Sequence, residues 1–269
     1  MDLELTGKRA LISGSSSGLG AECARRLAQE GCLVVVHGRD KARAEETAND
    51  IVKAGGKAAV TVGDLEKDED ADQVCADALK AFGGIDILVN NAGLLIRAEN
   101  PDWTTVPTSD WLRSFNINVV AAVRLCQKLV PPMIERKWGR VINFSSVAGY
   151  QMLGQLLEYG PAKAGVHNLT INLSHMIAGQ GVTVNTIAPG TINTPGIDHF
   201  IDSMIGQPGW GATRAECEAI YTAQLFPQPI QRIGKPSEIA AAVALLASPL
   251  SDYTTGALLR IDGGISRAL

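Results

Sequence analysis

Seven short runs of aliphatic and β-branched residues, at 10–12, 33–36, 58–62, 85–89, 140–144, 182–185 and 258–261, punctuate the chain. They are almost continuously apolar, which is how strands read when a sheet is buried on both faces, the parallel arrangement. Between them the apolar period becomes helical: Leu19, Cys23 and Leu27 with Ala24 and Ala28 form one stripe, and Val74, Cys75, Ala78 and Leu79 another before Phe82. Gly31, Gly55-Gly56 and Gly83-Gly84 follow helical patterns where left-handed caps belong. Strictly alternating strand and helix predicts an α/β fold, a doubly wound seven-stranded parallel sheet flanked by helices. A length of 269 residues suits a single such domain spanning 1–269.

One stretch breaks the rhythm. Residues 194–234 lack a strand pattern but carry Pro195, Gly196, Gly206, Pro208, Gly209, Gly211, Pro227 and Pro229 among Phe200, Met204, Trp210, Tyr221 and Phe226. A long apolar insertion in an α/β domain is expected to cover a binding site.

Several function classes are disfavoured by composition. Lys and Arg total 24 against 28 Asp and Glu, a net charge of −4, so no basic excess points to nucleic acid. Neither a run of ~18 apolar residues nor a signal-like N-terminus is visible, so no membrane association and a cytoplasmic protein are expected. The five cysteines show no C-x-x-C spacing, and no histidine pattern suggests a metal site.

The first strand runs into Ser13-Gly14-Ser15-Ser16-Ser17-Gly18-Leu19-Gly20 and then a helix. Glycines here allow a tight turn and close backbone approach to a pyrophosphate, and a helix N-terminus offers N–H groups to the anion. The turn therefore predicts a Rossmann-type dinucleotide site. The second strand ends Val36-His37-Gly38-Arg39-Asp40. Glycine stands where an acid would hold a ribose 2′-hydroxyl, and Arg39 next to it suits a 2′-phosphate, so NADP(H) is preferred and NAD(H) is the alternative. Asp40 counts against this unless it opens the following helix.

Four further signals complete a pattern: Asn90-Asn91-Ala92-Gly93 after strand four, Ser146 thirteen residues before Tyr159, Tyr159-Gly160-Pro161-Ala162-Lys163, and Asn185 with Pro189-Gly190. Together with the glycine turn and the ending Ile261-Asp262-Gly263-Gly264, the chain resembles the short-chain dehydrogenase/reductases over practically its whole length. Reducing a carbonyl requires a proton donor for the developing alkoxide. Lys163, one helical turn from Tyr159, is expected to favour the phenolate of a residue whose free pKa is ~10. Ser146 is expected to orient the substrate oxygen, with Ser145 as its competitor.

The resemblance implies that Asn118 serves a proton relay, with Asn116 as the competing choice. It implies cofactor contacts at Asp64 and Leu65, at Asn91, Ala92 and Gly93, and at Pro189, Gly190, Ile192 and Thr194, with Lys163 also on the nicotinamide ribose. It also implies a homo-oligomer, a tetramer or dimer. Ser17 departs from the basic residue of many NADP-dependent members, which leaves Arg39 largely alone on the phosphate. Pro161 is expected in the first turn of its helix, where no hydrogen bond is lost. The expected activity is interconversion of a ketone and a secondary alcohol. An NAD-dependent alcohol dehydrogenase and a non-catalytic nucleotide sensor are the competing readings. Leu94, Leu95, Ile96, Tyr150, Met152 and Leu153 suggest a pocket for an apolar or cyclic small molecule.

Overall fold

In the computed structural model, residues 1–96, 104–151 and 156–267 are described. All seven expected strands form: β1 Arg9–Ile12, β2 Leu33–Gly38, β3 Lys57–Val62, β4 Ile87–Asn90, β5 Gly139–Phe144, β6 Val182–Pro189 and β7 Leu258–Ile261. They make one sheet of order β3-β2-β1-β4-β5-β6-β7, with every neighbour parallel. The direction of winding reverses between β1 and β4, where ligands of such sheets bind at the strand C-termini. β4 begins two residues later than the apolar run suggested. Asp86 turns its carboxylate onto Arg9 at the sheet rim, 2.6 Å from the guanidinium.

Helices α1 Gly18–Gln29, α2 Lys41–Lys53 and α3 Asp68–Phe82 connect the first four strands. α1 and α2 cover one face, packing Leu27, Ala44 and Ile51 with Val34 and Val36. The other face buries Val74, Leu125 and Leu129 against Leu88 and Val141. Between β4 and β5 runs one continuous helical stretch: α4 Thr108–Phe115, a π turn over Asn116–Val120, and α5 Ala121–Glu135. By length and composition alone, Thr108–Glu135 could cross a membrane, although its sequence has no uninterrupted apolar run. Its most apolar window is 56% buried in the fold, as a core helix is.

α6, Tyr159–Met176, lies between β5 and β6 and places Pro161 third in the helix, within the first turn. Segment 194–234 is largely helical: α7 Pro195–Met204, α8 Arg214–Ile220 and a π turn Tyr221–Leu225. It carries a small core of its own, Ile201, Cys217, Tyr221 and Ile233. α9, Pro236–Ala247, then lines the same face as α1.

Candidate active site

The glycine turn is built by close approach. A side chain at Gly20 would overlap the Gly14 carbonyl oxygen and the Asn91 amide. Gly14 and Gly18 hold φ of +66° and +56°, the left-handed region where glycine costs least. Among the described residues, no acceptor engages the N–H groups of Ser16, Ser17, Gly18, Leu19 or Gly20. Five such groups at the head of α1 form a cradle suited to an anion.

Beside the cradle opens a cavity of about 330 Å³, lined in part by Gly14, Ser16, Ser17, Gly38, Arg39, Asp64, Leu65, Ala92 and Gly93. Arg43 lines it too, so Arg39 is not alone. Asp40 caps α2, accepting from the Arg43 N–H at 3.2 Å. Neither Arg39 nor Arg43 has an ion-pair partner among the described residues. Two guanidiniums thus share this cavity wall with the carboxylates of Asp40, Asp64 and Glu66, next to the anion cradle.

Not every turn residue faces this cavity. Ser15 is buried, its hydroxyl donating to Ile12 O at 2.7 Å and its N–H to His37 O at 2.8 Å. Asn91 donates its amide to Ser13 O and Gly14 O at 3.0 and 3.1 Å. Both side chains hold the backbone of the turn that forms the cradle. Across Gly18 stand Thr194 and Pro195, with a notional Gly18 Cβ 3.7 Å from Pro195 Cδ. Pro189 ends β6, Gly190 packs on the Asp262 backbone, and Ile192 bridges to Gly234.

At the far end of β5 the two serines separate. Ser145 donates its hydroxyl to Lys163 O at 2.8 Å and serves the helix. Ser146, half-buried, is the serine that draws the Tyr159 phenol pKa downward, and its hydroxyl accepts from Ala148 N–H at 3.2 Å. Lys163 is 3% exposed and donates to Phe144 O at 2.9 Å, with its Nζ 5.4 Å from the Tyr159 ring centroid. A Cβ placed on Gly93 would lie 3.1 Å from that Nζ and 2.6 Å from Asn118 Oδ1. Asn118 therefore belongs to the cluster. Its amide donates to Leu94 O and Ser114 O, both at 2.9 Å. Asn116 faces elsewhere, toward Glu66 O and Arg124.

The expected electrostatics of the pair are reversed. Burial pushes the Tyr159 phenol up to about 12, which Ser146 only partly offsets. Burial also pushes Lys163 down to about 8. Desolvation is the largest cause of both shifts, because it penalises the charged form of each group. The cluster thus presents a protonated phenol and a serine hydroxyl, and it meets the cavity lining at Gly93. Met152 and Leu153 lie outside the described residues, whereas Leu94, Leu95, Ile96 and Tyr150 are half-buried or exposed near the site. His37 was not anticipated from the sequence as a site residue, yet its ring touches the glycine turn.

The family model described as enoyl-(acyl carrier protein) reductase matches residues 14–266. The 3β-hydroxysteroid dehydrogenase 1 of Eggerthella lenta is 37% identical, covering 98% of this chain and 95% of that protein. The 3-oxoacyl-[acyl-carrier-protein] reductase of Vibrio cholerae is 34% identical over 98% of this chain and 99% of its own. Among solved structures, L-sorbose reductase of Gluconobacter frateurii, complexed with NADPH and L-sorbose, superposes with a TM-score of 0.94. It shares 30% identity and covers 100% of both chains.

Proposed function

The chain belongs to the short-chain dehydrogenase/reductase family and is an oxidoreductase of CH–OH and C=O groups, and from that premise we propose an NADP(H)-dependent ketone reductase with Tyr159 as its acid. The single observation that carries the cofactor choice is the pair Arg39 and Arg43 on the cavity wall, where Asp40, also on that wall, has its carboxylate engaged in capping α2. A nicotinamide nucleotide, when bound, supplies or accepts the hydride. The protein's own residues handle the oxygen. Ser146 donates a hydrogen bond to the substrate carbonyl and orients it. The Tyr159 hydroxyl, protonated through the neutral range, gives its proton to that oxygen as charge develops. Lys163 holds the cofactor ribose and, when charged, eases the return of a proton to the site.

A tyrosine four residues before its lysine favours a ketone over an enoyl substrate, since an enoyl reductase of the family would space the two more widely. Leu94, Leu95 and Ile96, together with segment 194–234, favour an apolar or cyclic one. That chemistry agrees with the steroid activity of the Eggerthella relative more than with the sugar substrate of the sorbose reductase. Five buried free thiols support a reducing compartment such as the cytoplasm.

The test is a panel of cyclic and linear ketones assayed with NADPH and NADH. Two charge-assisted contacts should favour NADPH at least tenfold in kcat/KM, since ~1.4 kcal/mol gives that factor. Arg39→Ala should remove most of the preference and Arg43→Ala a part, both sparing NADH. A wild type that prefers NADH overturns the cofactor assignment. Gly38→Asp is not a clean reversal here, because a Cβ at Gly38 would come within 2.6 Å of Ser16 Oγ.

A further inference from the structure

His37, next to last in β2, is buried, and it meets the glycine turn twice through its main chain. Ser15 N–H donates to His37 O at 2.8 Å, and His37 N–H donates to Ser15 Oγ at 2.9 Å. The imidazole adds two contacts of its own, one at each ring nitrogen. Gly14 N–H donates to Nδ1 at 3.0 Å, and Nε2 lies 3.2 Å from Gly63 O. A peptide N–H can only donate, so Nδ1 must keep its lone pair. Nε2 then carries the ring proton and gives it to the Gly63 carbonyl. The contacts therefore specify one neutral tautomer.

Gly14 and Gly63 both line the nucleotide cavity, at the ends of β1 and β3. The ring is a crosspiece between the wall beneath the anion cradle and the wall that carries Asp64. Two charged groups face it, Arg39 from its own strand end and Asp64 beyond β3, and they act in opposite senses. The turn from β1 presents no titratable group to it. Burial pushes the imidazole down to about 4, in keeping with the tautomer that the contacts require.

We propose that His37 is a positioning residue for the cofactor: its neutral ring fixes the span between Gly14 and Gly63, and with it the affinity for the dinucleotide. This rests on the cavity being the cofactor site. It differs from the role given to Arg39, because the ring sets the cradle and not the grip on an added phosphate. Loss of the ring should weaken NADP⁺ and NAD⁺ by the same factor.

Calorimetric titration of NADP⁺ and NAD⁺ into wild type, His37→Asn, His37→Gln and His37→Leu, with a melting curve for each free protein, tests this. The Asn amide oxygen can take the place of Nδ1 and keep the Gly14 contact. The Gln amide reaches toward Gly63 and gives up Gly14. The expected order is wild type, then Asn within about threefold, then Gln and Leu weaker by about tenfold for both cofactors, the effect of one lost buried hydrogen bond. At saturating cofactor, kcat of the Asn variant should stay within about twofold. If Leu does not fold, Asn against Gln decides. Equal affinities across the folded variants, with only the melting temperatures lowered, would reduce His37 to a structural residue. A loss confined to NADP⁺ would also overturn the proposal. A wild type that binds neither nucleotide would instead remove the cofactor site itself.

Discussion

At the scale of single residues, Tyr159 and Lys163 share one helical face, and burial moves them in opposite directions, to about 12 and about 8. Reduction needs the protonated phenol, which persists below its raised pKa, so kcat for ketone reduction should be flat from pH 6 to 8. Alcohol oxidation needs the deprotonated form, whose fraction rises tenfold per pH unit in that range, so its rate should climb with pH. Tyr159→Phe should cut turnover in both directions by about 10²–10⁴, the usual weight of general acid catalysis. NADP⁺ affinity should change by less than about twofold, since the hydroxyl acts on the substrate oxygen. Paired pH profiles and a binding titration check this. Activity within a few-fold of wild type would remove Tyr159 from the acid's role.

At the scale of elements, α7 and α8 are tied by one side chain. Arg214 pairs with Asp198, with Asp202 at 2.8 Å and with Glu218 at 2.9 Å, so it joins both helices over the cleft. Each pair is partly exposed and weak alone. Acting on one guanidinium they hold the segment's entry near Thr194. Arg214→Met should therefore raise the KM for ketone several-fold while leaving cofactor affinity unchanged. Unaltered ketone KM would mean the segment does not form the substrate wall.

These two helices also show where the sequence stops being readable. The seven strands announce themselves because burial on both faces demands unbroken apolar runs. α7 and α8 bury only Ile201 and Cys217 against a small local core, and glycine and proline interrupt their period. The π turn at 116–120 is likewise invisible in composition. It widens the helix at Asn116–Val120, and only the coordinates show Asn118, not Asn116, beside Gly93. The motifs that carry the family resemblance led to Ser146, Tyr159 and Lys163. Arg43 was missed because its place on the cavity depends on how Asp40 starts α2.

On the scale of the whole molecule, the question is what covers the remaining apolar surface. Of the apolar residues on the helices around 108–136 and 158–178, Val119, Leu125, Leu129, Val166 and Ile177 are buried within the chain itself, whereas Val123, Leu169 and Leu173 are half-buried. Leu112 and Phe115 on α4 and Met176 at the end of α6 are exposed. So are Leu245 on α9, Leu250 and Tyr253 between α9 and β7, and Leu259 on β7 itself. β7 pairs with β6 alone, so one edge of the strand has unpaired backbone groups, a surface that soluble proteins usually cover or charge. An apolar fringe along an open edge is best buried by a symmetric copy of itself, and a stable contact needs about 1,200–2,000 Å² in total. The expected species is a homodimer or homotetramer. Multi-angle light scattering at micromolar concentration should give a multiple of 28.4 kDa. The double substitution Leu250→Glu and Tyr253→Glu, remote from the cofactor cavity in sequence and lining, should lower that mass without loss of NADP⁺ binding. A wild type of 28.4 kDa would show that the fringe around β7 stays in water.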